Sequence, residues 1–338
     1  MRAAFVGLLD RGDPDRPRFS WPGSELRLSF ERGERPVARL RTPRVRFRIG
    51  LRADSAAAPD RVVELPEGEH LLDLAEGLPE GTRGEASLFL ASEPFDRPVE
   101  LLGLPGGPAP AGLRPLKGGR PLVEFVGDSL TVGYGVVPGC DEDPLDGTDH
   151  AQSYASLVSA ALGADHRAVA RSGKGIVRNW NGGEPDEPFP DLYGFAVPHS
   201  GRRIGPGDFP PADLVVLSLG ANDFSEPLHA GEKWRSPAEL EEDFLENAVR
   251  FVLRVRETQG GPVPLLVFVQ TGGPDGPETR LWSRAKAALE ARGEKGIRLF
   301  AHYPPMTGFK GHPTAEAHRA TAEALAAEIR RLNLLQAP

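Results

Sequence analysis

The stretch Asp213-Leu214-Val215-Val216-Leu217-Ser218-Leu219 constrains the fold more than any other part of the chain. It is far too short to span a membrane and is apolar on both faces, as a strand in a parallel sheet covered by helices on each side must be. Residues 122–126 and 263–269 repeat the pattern, and residues 167–170 and 297–301 supply shorter strands. Helical spacing fills the intervals at 152–162, 277–292 and 314–335. Ser236-Pro237-Ala238-Glu239 combines an N-cap, a first-turn proline and a capping-box glutamate, and so opens a further helix toward Glu257. This alternation predicts a parallel α/β domain over residues 121–338.

Residues 1–103 follow a different rhythm. Leu26, Leu28 and Phe30 alternate with Arg27, Ser29 and Glu31, and short runs recur at 61–65, 70–74 and 86–91. Pro22-Gly23-Ser24 and Pro66-Glu67-Gly68 are turn signals between them. Short strands without a long helical pattern predict an all-β sandwich. Residues 104–120, rich in glycine and proline, read as the linker.

The net charge of -8 conceals an asymmetry. Residues 1–52 hold thirteen arginines against six acidic residues, a net +7, and the remainder carries -15. In Arg44-Val45-Arg46-Phe47-Arg48-Ile49-Gly50-Leu51 the arginines alternate with apolar residues, which predicts a strand with one solvated face rather than a nucleic-acid surface. A single cysteine, Cys140, excludes an internal disulfide and a zinc knuckle. No run approaches the roughly 20 apolar residues of a membrane helix. The apolar residues 3–9 are followed by Asp10-Arg11 and Asp13 with no small-residue cleavage site, so no signal peptide is expected and the expected compartment is the cytoplasm.

In parallel sheets ligands bind beyond the carboxyl ends of the strands, and chemistry-bearing residues gather there. The first strand of the α/β region runs into Gly127-Asp128-Ser129-Leu130, which sets a serine at the sheet edge as a candidate nucleophile. Residues 167–170 lead into Arg171-Ser172-Gly173-Lys174-Gly175, where a glycine can offer an unobstructed N–H. Gly220-Ala221-Asn222-Asp223 follows the next strand; Asn222 can aim an amide at a developing oxyanion, while Asp223 braces the loop. Before the last helix, Gly311-His312-Pro313-Thr314 offers an imidazole as general base. Each alone has an ordinary explanation as a cap, turn or surface residue. Their order at successive strand ends does not.

That order resembles the SGNH (GDSL-type) hydrolase superfamily, and carbohydrate esterase family 2 in particular. Gly127-Asp128-Ser129-Leu130-Thr131-Val132-Gly133-Tyr134-Gly135, Ser153-Tyr154-Ala155 and Ser172-Gly173-Lys174-Gly175-Ile176-Val177-Arg178-Asn179 are similar to that family's catalytic domain. Phe19-Ser20-Trp21-Pro22-Gly23-Ser24 and residues 88–94 are similar to its N-terminal jelly-roll domain. The resemblance implies a three-layer α/β/α domain of flavodoxin-like order behind a β-sandwich, and a serine esterase removing O-acetyl groups from carbohydrates. It implies Ser129 as nucleophile, His312 as base, and Gly173 and Asn222 with the Ser129 N–H as oxyanion donors. No metal and no organic cofactor are expected. The expected partner is an acetylated carbohydrate or small ester, with neither nucleic acid nor membrane.

One superfamily element is missing. The aspartate usual two or three residues before the histidine is replaced by Lys310 and Phe309. The chain therefore looks like a Ser–His dyad in which the carbonyl of Lys310 or Gly311 orients the imidazole. Asp275 reads first as a turn residue, with a remote carboxylate for the imidazole as the alternative, and Glu316 as a first-turn helix acid. His302 is a candidate either to line the site or to fill its loop, and His318 lies six residues after His312 and so shares no helix face suited to joint metal binding. Asp141-Glu142-Asp143 with Asp146 and Asp149 read as a solvated acidic loop without calcium-loop spacing. Trp180, Trp234 and Tyr193 are candidates either to stack on a sugar or to anchor loops. Two other readings stay open at this point: an esterase or thioesterase for a non-sugar acyl ester, and a carbohydrate-binding protein that has lost catalysis with its acid.

Overall fold

The computed structural model describes residues 1–54, 57–79, 81–94, 96–115, 117, 119–139 and 146–335. Nine antiparallel strands come first: β1 (Arg2–Val6), β2 (Arg18–Phe19), β3 (Glu25–Phe30), β4 (Val37–Thr42), β5 (Val45–Ala53), β6 (Ala57–Leu65), β7 (Gly68–Asp73), β8 (Gly84–Leu90) and β9 (Val99–Gly103). They form two sheets, in the orders β1-β3-β8-β5-β6 and β2-β9-β4-β7. The chain changes sheet at every step except β5 to β6, the interleaving of a jelly roll. β3 shows why: Leu26, Leu28 and Phe30 are buried, and the residues between them are half-buried. With Phe5, Phe19, Leu40, Phe47, Leu88 and Val99 they fill the space between the sheets. The apolar residues near the N-terminus are thus a strand, β1, paired with β3.

The second region carries β10 (Leu122–Gly127), α1 (Ser129–Val132), α2 (Tyr154–Leu162), β11 (Asp165–Ala170), α3 (Phe189–Leu192), β12 (Leu214–Ser218), α4 (Pro237–Gln259), β13 (Leu265–Val269), α5 (Pro277–Ala291), β14 (Ile297–Ala301) and α6 (Ala315–Arg331). Its five strands are parallel, in the order β11-β10-β12-β13-β14. This is the flavodoxin-like order, with its switch point at β10, immediately before Ser129. Strand period separates the two faces. Val215 and Leu217 pack with Phe244, Phe251 and Trp282 of α4 and α5, whereas Leu214 and Val216 pack with Tyr154, Val158, Leu325 and Ile329 of α2 and α6. α4 begins as its sequence predicts, with the Ser236 hydroxyl accepting the Glu239 N–H, though the Glu239 carboxylate reaches back to the Arg235 N–H rather than to Ser236.

The arginine-bearing face of β5 is solvated only in part: Arg44 and Arg52 are exposed, Arg48 is half-buried and Arg46 is buried. The Arg46 guanidinium donates to the carbonyls of Thr148 (2.7 Å) and Asp146 (3.1 Å), and pairs with Glu64. Arg48 pairs with Asp149, Arg44 with Asp146, and Arg27 with Asp165. A strand alternation shows that a face leaves its own core, but water is only one of the things that can cover it. Here the positive front region docks on acids and carbonyls of the α/β region. Asp149, expected in a solvated loop, is buried in that junction; Cys140, Asp141, Glu142 and Asp143 lie outside the described residues.

Two buried histidines also meet at the junction. His150 Nε2 lies 3.0 Å from His166 Nε2, and burial depresses the pKa of both. Gly23, in the left-handed region at φ 77°, leaves room for them: a Cβ there would overlap His166 Nε2 and approach His150 to 2.9 Å. Gly23→Ala is expected to cost about 1–3 kcal/mol through overpacking, with about another 1–2 kcal/mol for the left-handed backbone. The urea midpoint of unfolding measures it; an unchanged midpoint would mean that the junction yields freely.

Candidate active site

The site forms where three loops leave the carboxyl edge of the sheet beside the switch point. β10 ends at Gly127, and Asp128 caps α1 by accepting the Leu130 N–H at 3.0 Å. Ser129, 8% exposed, is the first residue of that one-turn helix, so its N–H has no intrahelical partner. Its Oγ lies 2.9 Å from His312 Nε2.

His312 is held by backbone alone. Its Nδ1 lies 3.2 Å from the carbonyl oxygens of both Phe309 and Lys310. A carbonyl only accepts, so Nδ1 carries the proton and Nε2 presents its lone pair to the Ser129 hydroxyl. Lys310 (φ 47°) adopts the left-handed conformation that brings both carbonyls under the ring. A lysine there costs on the order of 1–2 kcal/mol. The expected Lys310 carbonyl is therefore in place and the Phe309 carbonyl joins it, whereas Gly311 contributes no such bond. Among the described residues no carboxylate pairs with His312; Asp275 is exposed on its turn. The Tyr134 ring lies 4.7 Å from the imidazole and 5.8 Å from Phe309, forming an aromatic shelf. Burial lowers the His312 pKa, only partly countered by the two carbonyls, and so keeps the imidazole neutral.

The Asn222 amide ties the other loops together. Its Nδ2 donates to the Lys174 carbonyl at 2.9 Å and to Asp128 Oδ2 at a longer 3.3 Å. It thus touches the neighbour of Gly173 on one side and the neighbour of Ser129 on the other. Gly173 stands at φ 78°, and a Cβ there would meet nothing nearer than Trp180 Cβ at 4.0 Å, so the space before this peptide is open. Trp180, 58% exposed, rises beside it and donates its backbone N–H to the Gly173 carbonyl at 2.7 Å. Asp223 accepts the N–H groups of Ile176 (2.9 Å), Val177 (2.8 Å) and Arg178 (2.9 Å), the bracing expected of it.

The other candidates fall away from the chemistry. Tyr193 is buried with its hydroxyl on Glu124, and Trp234 anchors to Asp243. His318 is buried and accepts the Tyr154 N–H through Nδ1 at 3.1 Å, while the backbone of His302 continues the sheet edge. Glu316 lies in the first turn of α6. No cluster able to hold a metal ion is present among the described residues. Sequence reasoning missed Glu278 and Glu93, two buried carboxyls near the site. Glu93 falls in the 88–94 stretch, which carries only the resemblance to a jelly-roll domain, and an acid in a helix start or a strand exit carries no local signal of burial.

A family model describing GDSL-like lipases and acylhydrolases matches residues 125–333. The chain belongs to that family. Within this GDSL-like family, the chain is 37% identical over 134 residues to an acetylxylan esterase / glucomannan deacetylase of Cellvibrio japonicus, covering 38% of this chain and 37% of that protein. It is 30% identical over 226 residues to the cellulase/esterase CelE of Acetivibrio thermocellus, covering 65% of this chain and 26% of that one. The aligned part is thus well under half the length of either relative. Among solved structures, a family two carbohydrate esterase from Clostridium thermocellum in complex with cellohexaose superposes with a TM-score of 0.80 at 24% identity, covering 98% of this chain and all of the other. A family two carbohydrate esterase from Cellvibrio japonicus gives 0.75 at 20% identity, covering 98% and 95%. Both share the whole two-region fold.

Three buried carboxyls beneath the site have raised pKa values, chiefly through burial: Asp223 about 6, Asp128 about 7 and Glu278 about 8. Each holds its proton to a higher pH in the folded than in the unfolded chain, so folding takes up protons between about pH 4 and the folded value. Thermal stability is therefore expected to fall as pH rises from the ordinary carboxylate range to about 8. Glu278→Gln is expected to flatten the upper part of that decline in a series of melting curves, and a parallel decline would exclude Glu278 as its source.

Proposed function

We propose that this chain is a serine esterase that removes O-acetyl groups from a carbohydrate through an acetyl-enzyme on a Ser–His dyad. The observation that carries the proposal is the Ser129–His312 contact, with the imidazole's other nitrogen committed to backbone carbonyls. His312 Nε2 takes the hydroxyl proton as Ser129 Oγ attacks the acetyl carbonyl. The tetrahedral oxyanion is held by the N–H groups of Ser129 and Gly173 and by the Asn222 amide. Asn222 turns one N–H from Asp128, its longer bond at 3.3 Å, toward the oxyanion and keeps its bond to Lys174. Collapse passes the proton from His312 to the departing sugar hydroxyl. His312 then draws a proton from the water that attacks the acetyl-enzyme, and returns it to Ser129 Oγ as the ester bond breaks and acetate leaves. No metal or cofactor takes part in these steps.

The carbohydrate is supported by Trp180, whose exposed ring stands beside the Gly173 loop and offers an apolar face for a sugar ring. It is supported too by the activities named for the two relatives above. A dyad with its imidazole tautomer already set favours catalysis over a binding-only role.

The decisive measurement compares p-nitrophenyl acetate, butyrate and octanoate with wild type and Ser129→Ala. Acetate is expected to be hydrolysed fastest, and only when Ser129 is present; octanoate preference would overturn deacetylation. On acetylated oligosaccharides, Trp180→Ala is expected to raise KM while leaving p-nitrophenyl acetate turnover unchanged. An equal effect on both substrates would remove the ring from sugar binding.

Loss of one oxyanion donor typically costs about 10²–10³ in kcat. Asn222→Ala is expected to fall in that range on p-nitrophenyl acetate with its fold intact by circular dichroism. Wild-type turnover in that variant would sink the oxyanion role.

A further inference from the structure

The loop carrying Gly173 is fastened at nearly every peptide. The Arg171 N–H donates to the Gly127 carbonyl (3.0 Å), the Lys174 N–H to the Arg171 carbonyl (3.4 Å), and the Gly173 carbonyl accepts from Trp180. The Ser172 N–H donates to Glu93 Oε1 at 2.8 Å. Of the four N–H groups from 171 to 174, that of Gly173 alone has no acceptor among the described residues.

Glu93 belongs to the β-sandwich half, three residues beyond the end of β8. Its side chain is buried, and the residues before it are fixed as firmly. The Ala91 N–H donates to the Arg46 carbonyl (2.9 Å), and the Ala91 carbonyl accepts the His150 N–H (2.7 Å). The Ser92 hydroxyl accepts the Arg46 N–H at 2.9 Å. His150 in turn reaches the Val132 carbonyl through Nδ1 at 3.1 Å, in the turn that begins with Ser129. One short strand exit is therefore bonded to both flanks of the site. Burial raises the Glu93 pKa against the opposing pull of Arg171, so this acceptor is maintained where a carboxylate is unfavourable.

We propose that Glu93 is a positioning residue for the esterase site, through which the β-sandwich sets the oxyanion loop. Holding the Ser172 N–H fixes the residue whose next peptide presents the Gly173 N–H. The sandwich is then part of the catalytic apparatus without touching the reacting atoms. This inference rests on the oxyanion role proposed above for Gly173.

The test compares Glu93→Gln, which keeps an acceptor oxygen, with Glu93→Met and Glu93→Ala, which do not. Turnover of p-nitrophenyl acetate is measured per folded molecule, beside wild type and Ser129→Ala. Misplacing one oxyanion donor is expected to lower kcat by about 10–100-fold in the Met and Ala variants, with KM changed by less than about twofold. Gln is expected to stay within about threefold of wild type, because the same N–H keeps a partner. The Met variant preserves side-chain volume, so it reports even if the Ala variant fails to fold. Wild-type kcat in the folded Met variant, or a Gln variant as impaired as Met, overturns the inference. Absence of Ser129-dependent hydrolysis in wild type would instead overturn the esterase reading itself.

Discussion

The site depends on a carboxylate that water does not reach. Asp223 is fully buried, yet it accepts three consecutive backbone N–H groups from residues 176–178. Without it those donors would be orphaned in the interior, each costing about 1–3 kcal/mol. The carboxyls beneath the site show how donors offset burial. Asp223, with three N–H groups, is pushed only to about 6; Asp128, with the Leu130 N–H and the Asn222 amide, to about 7; Glu278, held by the Thr271 hydroxyl, to about 8. The most heavily solvated by protein is the one that keeps its charge nearest the ordinary range. Arg178 extends the brace to Glu232 and to the carbonyls of Glu226 and Pro227, so the loop beyond Gly173 is fixed at both backbone and side chain.

The same logic governs the junction between the two regions. A β-sandwich face could dock through apolar side chains, but the surface opposite β5 is made of loop carbonyls and carboxylates. A guanidinium suits such a surface because its fork of donors can serve several acceptors at once. Arg46 does this, spanning Glu64 and the carbonyls of residues 146 and 148. Around β5 the junction therefore has directional bonds, beside the apolar contact that Leu8 and Trp21 make with the α/β core, and direction is what a loop-positioning role requires.

These features differ in how far the sequence exposes them. The parallel strands are legible because burial on both faces leaves an unbroken apolar run, as at 214–217. Ser129, Asn222 and His312 are legible because glycines and strand ends mark their loops. Arg46 is not: alternation along β5 reads identically whether protein or water covers the outer face. β2, only two residues long, is too short to show a period. Glu93 and the Phe309 carbonyl are invisible for a different reason. One acts through a contact 79 residues away in the chain, and the other through a backbone atom that every residue possesses.

Replacing the triad acid by carbonyls has a consequence for the rest of the site. Two carbonyls fix the imidazole tautomer as well as a carboxylate does, but on the proposed mechanism they bring no full negative charge to the imidazolium that attack would form. Burial lowers the His312 pKa more than the two carbonyls raise it, so the imidazole is available as a base at lower pH but is intrinsically weaker. On the proposed mechanism the missing stabilisation must come from the other charge formed in the same step, the oxyanion. Donors held rigidly toward that oxygen need no reorganisation as it develops, and this is where a fixed loop has the most effect. On that mechanism the bracing of residues 171–178 by Asp223, Asn222 and Glu93 is the structural counterpart of the carboxylate that, among the described residues, His312 does not have.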